Sequence, residues 1–185
     1  MLLSRILYYS LIFLVLCISG CEQKAKVPFQ TFEKDGYYVE FPEQWEFDVD
    51  TEINRQASRR FIFAVSEFSY FSLNIMTPEY ANRKNAYDLG SYVEYFLTLL
   101  SESDPFETEE NTKVQKSFIT EAGYSGVKID VEMQFMGTMK EEILIFHVGG
   151  KENAVYAVFY LSDDDILSSR REVVRILKSI RTPGL

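Results

Sequence analysis

Apolar side chains along this chain follow two different periods, and the switches between them divide it into elements. Between residues 29 and 77 they recur at every second position in short runs, the spacing of half-buried strands. Residues 29–33 and 37–41 flank Lys34-Asp35-Gly36, a turn signal, so the pair predicts a hairpin. Pro42-Glu43-Gln44 breaks the second strand, and Trp45-Glu46-Phe47-Asp48-Val49 alternates again. Residues 60–65 and 72–77 predict two further strands around Glu67-Phe68-Ser69-Tyr70. After Tyr80 the period lengthens. Leu89, Val93, Phe96, Leu97 and Leu100 fall at helical spacing, with Asn85 as the expected N-cap and Asp88 in the first turn. Ser101-Glu102-Ser103-Asp104-Pro105 ends that helix, and the acidic stretch to Thr112 reads as a solvated loop.

The strand period then returns. Val127, Ile129, Val131, Met133 and Phe135 alternate with Lys128, Asp130, Glu132 and Gln134, one face buried and one wet. Gly137 marks a turn, and residues 149–153 (Gly-Gly-Lys-Glu-Asn) mark a hairpin loop. Residues 142–148 and 154–161 are apolar on both faces and are expected centrally, covered on each side. The last element is a helix from Asp163 or Asp164 to Arg181, stopped by Thr182-Pro183-Gly184. Its acids crowd the N-terminus and Arg175, Lys178 and Arg181 the C-terminus, as the helix dipole favours. Ile166, Leu167, Val173, Val174, Leu177 and Ile180 form its expected buried stripe. Strand meander, helix, three or four strands and closing helix together predict an α+β fold: a mostly antiparallel sheet with layers on both sides.

The first twenty residues belong to no such domain. They hold no acid and one base, Arg5, followed by an apolar run from Ile6, a layout of secretory signals. The run to Ile18 is shorter than the roughly 20 apolar residues a spanning helix needs. It closes on Ile18-Ser19-Gly20-Cys21, which resembles the lipobox of bacterial lipoproteins. That resemblance implies cleavage between Gly20 and Cys21, a diacylglyceryl group on the Cys21 thiol, and an acyl chain such as palmitate on the freed amino group. Cys17, behind bulky Leu16, fits the pattern poorly; a plain cleaved signal with Cys21 there by chance is the alternative reading. The expected organisation is a signal helix over 1–20, a lipidated tether over 21–28 and one domain over 29–182. Glu22 after the cysteine resembles an outer-membrane sorting context where a cell has two membranes, so the expected location is a cell membrane or outer membrane, on its extracytoplasmic side.

Composition narrows the chemistry. The whole chain has 19 bases against 28 acids, a formal net charge of −9, and loss of Arg5 with the signal makes the remainder more acidic. Nucleic acid and anionic lipid are therefore poor partners on charge grounds. Both cysteines lie at or before the lipobox, so the domain has no disulfide, thiolate nucleophile or cysteine metal site. Its 15 Phe and 12 Tyr supply the core instead.

Gly36-Tyr37-Tyr38-Val39-Glu40-Phe41-Pro42-Glu43-Gln44-Trp45 resembles the opening motif of the PsbP-like superfamily, in which a strand ends in Pro-x-x-Trp. Ile176-Leu177-Lys178-Ser179-Ile180 is similar to the Ile-Leu-x-Ser pattern of that family's closing helix. The resemblance, over residues 29–181, implies an antiparallel sheet between helices, an α/β/α sandwich. It implies no activity, because one fold hosts many. Photosynthetic members assist a metal cluster partly through histidines; with a single histidine, none of that role carries over.

Candidate chemical groups read more simply as structure. His147 lies inside an expected central strand with no second histidine to form a ligand cluster, and reads as a core or rim residue. No Gly-x-Ser-x-Gly elbow is present, and a Ser–Lys dyad would be the remaining hydrolytic arrangement. Asp163-Asp164-Asp165 lacks calcium-loop spacing and reads as a helix start. The acids Glu102, Asp104, Glu107, Glu109 and Glu110 read as solvated. Gly149-Gly150 is no phosphate cradle. Phe61, Phe63, Phe68, Tyr70 and Phe71 read mostly as core; they cannot all face one side of a sheet, so the alternative is that one or two are exposed, as at a partner patch. The expectation is a lipid-anchored envelope protein, without catalytic residues, cofactor or metal, that binds or scaffolds an envelope protein. The alternative is a carrier or sensor of a small apolar ligand in a sheet–helix pocket near Trp45 and Phe96.

Overall fold

The structure, a computed structural model, describes residues 27–53, 58–66, 69–103, 112–134, 138–150, 152–162 and 166–183. Gly20, Cys21, the acidic residues 104–110, Gly137 and Asp163–165 lie outside them. Nine strands are described: β1 (Phe29–Lys34), β2 (Tyr37–Pro42), β3 (Glu46–Ile53), β4 (Ser58–Ser66), β5 (Ser69–Met76), β6 (Thr112–Glu121), β7 (Tyr124–Gln134), β8 (Thr138–Gly149) and β9 (Ala154–Ser162). The helices are α1 (Pro78–Arg83), α2 (Leu89–Ser103) and α3 (Ile166–Ser179).

Strands β3 to β9 form one seven-stranded antiparallel sheet in the order β3-β4-β5-β9-β8-β7-β6. The doubly apolar strands β8 and β9 lie inside it, as their composition predicts; Ile143, Leu144, Ile145 and Phe146 are all fully buried. One face carries Phe61, Phe63, Phe71, Leu144, Phe146, Phe159 and Leu161, covered by α3 and by the separate β1–β2 hairpin. The other carries Val127, Ile129, Ile143, Ile145, Tyr156 and Val158, covered by α1 and α2 through Tyr80, Tyr92, Val93 and Phe96. The α+β sandwich is therefore real, with a hairpin sharing one cover layer.

Local chemistry explains the joints. Asp35 and Gly36 both have positive φ (52° and 80°), the pair a two-residue hairpin turn demands. Ser179, in the Ile-Leu-x-Ser stretch, accepts from the Glu40 backbone N–H at 2.8 Å and donates to the Ile176 carbonyl at 2.7 Å. Tyr38 and Arg181 exchange two backbone hydrogen bonds of 3.0 Å, so the outer edge of β2 is closed by the end of α3. Trp45 is buried in the core beneath, its carbonyl accepting from Gln30 Nε2 at 2.9 Å. In β7, a Cβ on Gly126 would come within 2.4 Å of the Phe146 ring on β8, so this position admits only glycine without a shift of the core.

Two sequence expectations are corrected, and one short helix is added. Asn85 does not cap α2: it has φ 52° just past the end of α1, and Asp88 is the cap, accepting from Ser91 N–H through Oδ1 at 2.8 Å. The short helix α1 was legible in Thr77-Pro78-Glu79, a capping threonine followed by proline at the first turn, although the period alone does not reveal it. Val174 is only partly buried, and Ile176 takes its place in the α3 stripe beside Val173, Leu177 and Ile180.

Candidate binding surfaces

Trp45 and Phe96 do not share a pocket. Both are buried, Trp45 in the cluster under α3 and Phe96 in the cluster under α2, on opposite faces of the sheet. The described members of the five-aromatic group are core, on both faces of the sheet. Phe61, Phe63 and Phe71 are fully buried on the α3 side, while Tyr70 points to the other face and stacks on Tyr160 at 5.4 Å; Phe68 lies outside the described residues. His147 sits at the rim of β8, beside the register shift before Gly149, 5.3 Å from the Tyr156 ring. Partial burial pushes its pKa below the ordinary value. Among the described residues no three of His, Cys, Asp and Glu converge to hold a metal ion.

Two features stand out beyond those predicted. The first is β6, an edge strand whose outer side pairs with no described strand. Val114, Lys116 and Phe118 lie opposite Val131, Ile129 and Val127 of β7, and so share the α2 face. Lys116 Nζ reaches Glu94 of α2 at 2.7 Å. The helix covers no more of the strand: Val114 is 48% and Phe118 88% exposed. Lysines on an edge commonly discourage pairing, but a bare phenylalanine does not. This strand was not legible as a separate element, because neither face of it is buried and no alternation results; its signal is the β-branched and aromatic content of residues 114–120 ahead of Ala122-Gly123, both at positive φ (54° and 88°).

The second is a cleft between α2 and the strand pair β4–β5, lined by Ser58, Arg60, Asn74, Met76, Tyr92 and Tyr95. Arg60 Nε donates to Asn74 Oδ1 at 2.7 Å, and Asn74 Nδ2 donates to Ser72 Oγ at 2.9 Å, which fixes the amide orientation. Tyr92 stacks on Tyr156 at 3.8 Å, and the Tyr156 hydroxyl donates to the Ala86 carbonyl at 3.1 Å. Burial pushes the Tyr156 phenol up to about 12 and raises Tyr92 further. The space is about 20 Å³.

The remaining buried acids are structural. Glu141 accepts from the Tyr160 hydroxyl on the α2 side, and Glu142 pairs with Arg170 of α3 at 3.0 Å. No helix among the described residues is long and apolar enough to cross a membrane.

No family model and no curated protein matches the chain. Solved structures do. Cyanobacterial PsbP (CyanoP) from Synechocystis sp. PCC 6803 is similar at a TM-score of 0.50 with 8% identity, covering 88% of this chain and 97% of that one. The fold is PsbP-like. This PsbP-like chain also matches LpqN, involved in cell envelope biogenesis of Mycobacterium tuberculosis, at 0.42 with 11% identity over 90% of this chain and 97% of that one. The Saccharomyces cerevisiae Ran-binding protein Mog1p matches at 0.44 with 10% identity over 85% and 96%. At these identities the likeness concerns the fold, and the PsbP-like architecture leaves function to be argued from surfaces.

Proposed function

We propose that this chain is a cell-envelope lipoprotein, held on a membrane by acyl chains at Cys21, whose PsbP-like domain is a non-catalytic binding or scaffolding module for an envelope protein. Its binding surface is the β6 edge. The observation that carries this reading is Phe118: an aromatic ring 88% exposed on a ten-residue edge strand whose outer side pairs with no described strand, with exposed Val114 on the same face. An extended segment of a partner can add to such an edge through backbone hydrogen bonds while an apolar side chain covers the ring. The short tether supports it, since fixing the domain near the membrane raises its effective concentration for neighbouring envelope components. The carrier reading has less support: Trp45 and Phe96 lie on opposite faces of the sheet, and the cleft under α2 is too small for a hydrocarbon chain.

Photo-cross-linking from Ser117 in intact membranes tests the proposal. A discrete protein adduct is expected, and Phe118→Ser should reduce its yield about tenfold or more, as loss of an aromatic hot spot does. Stability should change by no more than about 0.5 kcal/mol, the ring being exposed. An adduct equally abundant in Phe118→Ser would refute the β6 surface.

A further inference from the structure

Among the described residues, Arg60 is a partly buried cation with no carboxylate partner. Arg59 is held by Asp50 and Asp35, Arg170 by Glu142 and Glu121, and Arg175 by Glu40. Arg60 is partly buried, yet among the described residues its single hydrogen bond is to the neutral Asn74 and no carboxylate lies within 4.0 Å of it. Exposed Arg83, Arg171 and Arg181 likewise form no ion pair among the described residues, so partial burial is what sets Arg60 apart. The guanidinium has five N–H donors, and Asn74 takes only the Nε–H, leaving the remainder of the fork to accept a planar partner.

We propose that the cleft between α2 and β4–β5 is a binding site for a carboxylate group, with Arg60 as its charge partner and Asn74 as the residue that positions the guanidinium. The Asn74 amide is locked by Ser72, itself buried, so Arg60 is preorganised before any ligand arrives. Buried Tyr92, with Met76 and Leu99, forms apolar walls that lower the local dielectric and strengthen an ion pair. The field of Arg60 reaches Tyr70 and Tyr92, where it opposes the effect of burial on their hydroxyls. The planar fork matches the plane of a carboxylate, which it can engage through two parallel N–H···O bonds. The site lies on the same sheet face as Phe118 but toward the opposite edge, so the two do not compete.

The test uses the full chain, ¹⁵N-labelled, in detergent micelles. Sodium acetate, compared with sodium chloride at equal ionic strength, should shift the Ser58, Arg60, Asn74 and Tyr95 amides saturably, with a millimolar Kd. Arg60→Met should weaken the response by about tenfold or more, and Arg60→Lys, which keeps the charge but loses the fork, by an intermediate factor. A terminally blocked peptide with one glutamate distinguishes sources. Saturation at lower concentration than acetate assigns the site to a protein side chain, and acetate binding alone assigns it to a free acid. Equal shifts with chloride, or an unchanged acetate response in Arg60→Met or Arg60→Lys, would overturn the proposal. The acetate–chloride comparison needs no variant, so a misfolded Arg60→Met leaves the proposal exposed to disproof.

Discussion

Arg59 and Arg60 are neighbours on β4 whose side chains leave on opposite faces, and their partners differ in kind. Arg59 lies over the Phe61 ring at 4.7 Å and donates to both oxygens of Asp50 at 2.7 Å, with Asp35 beyond; Lys34 also pairs with Asp50. This cluster ties the β1–β2 hairpin to the sheet. Hydrogen bonds from Arg59, then Lys34, hold the Asp50 carboxyl well below its ordinary value of 3.8, against an opposing effect of burial. A depressed folded-state pKa contributes stability above the unfolded-state pKa, and that contribution is lost as pH falls through it. Asp50→Asn should therefore be less stable by about 1 kcal/mol at neutral pH. The gap to wild type should narrow below about pH 4, where the unfolded chain takes up the proton. Urea unfolding across that range measures it, and a gap constant with pH would mean that the pair contributes no charge interaction.

At the scale of elements, the closure of β2 by α3 decides how the hairpin joins the domain. A free hairpin is marginal in water, and this one gains its stability from packing and from the Ser179 and Arg181 contacts at its edge. Ser179→Ala would leave the Glu40 N–H without its acceptor, lowering stability by about 1 kcal/mol and Tm by roughly 2–4 °C. Hydrogen exchange separates this from a global effect: the Glu40 amide should exchange faster while β9 amides keep their protection relative to the global stability. Unchanged Glu40 exchange would show the hydroxyl to be dispensable. The same junction shows what the sequence reveals. Ile176 to Ile180 was readable as a pattern, yet its physical content, a serine bridging helix end and strand edge, needs residues 139 positions apart to meet. Strands with a buried face, such as β7, were readable from alternation. Edge strand β6 was not, since exposure on both faces removes the contrast on which periodicity depends. Arg60 was invisible as a site for a related reason: nothing local distinguishes it from Arg59 until register places one beside Asp50 and the other beside Asn74.

For the whole molecule, the question is what holds an acidic domain on a membrane. The formal charge of −9 opposes adsorption to anionic lipid, and the proposed attachment is through Cys21. Each buried acyl CH₂ contributes about 0.8 kcal/mol, so one chain binds reversibly and two or three bind firmly. Between Cys21 and the Pro28 carbonyl, which accepts from Glu43 N–H at 3.0 Å, the chain extends at most about 3.3–3.6 Å per residue. That reach keeps the domain within a few tens of ångströms of the headgroups. Wild-type chain should incorporate labelled palmitate, begin at Cys21 by mass, and resist extraction by high salt while yielding to detergent. Cys21→Ala should incorporate none. Salt resistance tells a hydrophobic anchor from electrostatic docking, because screening weakens only the latter. An unmodified Cys21 thiol in the native protein, or label persisting in Cys21→Ala, would detach the β6 and Arg60 surfaces from any membrane context while leaving each testable as a binding site.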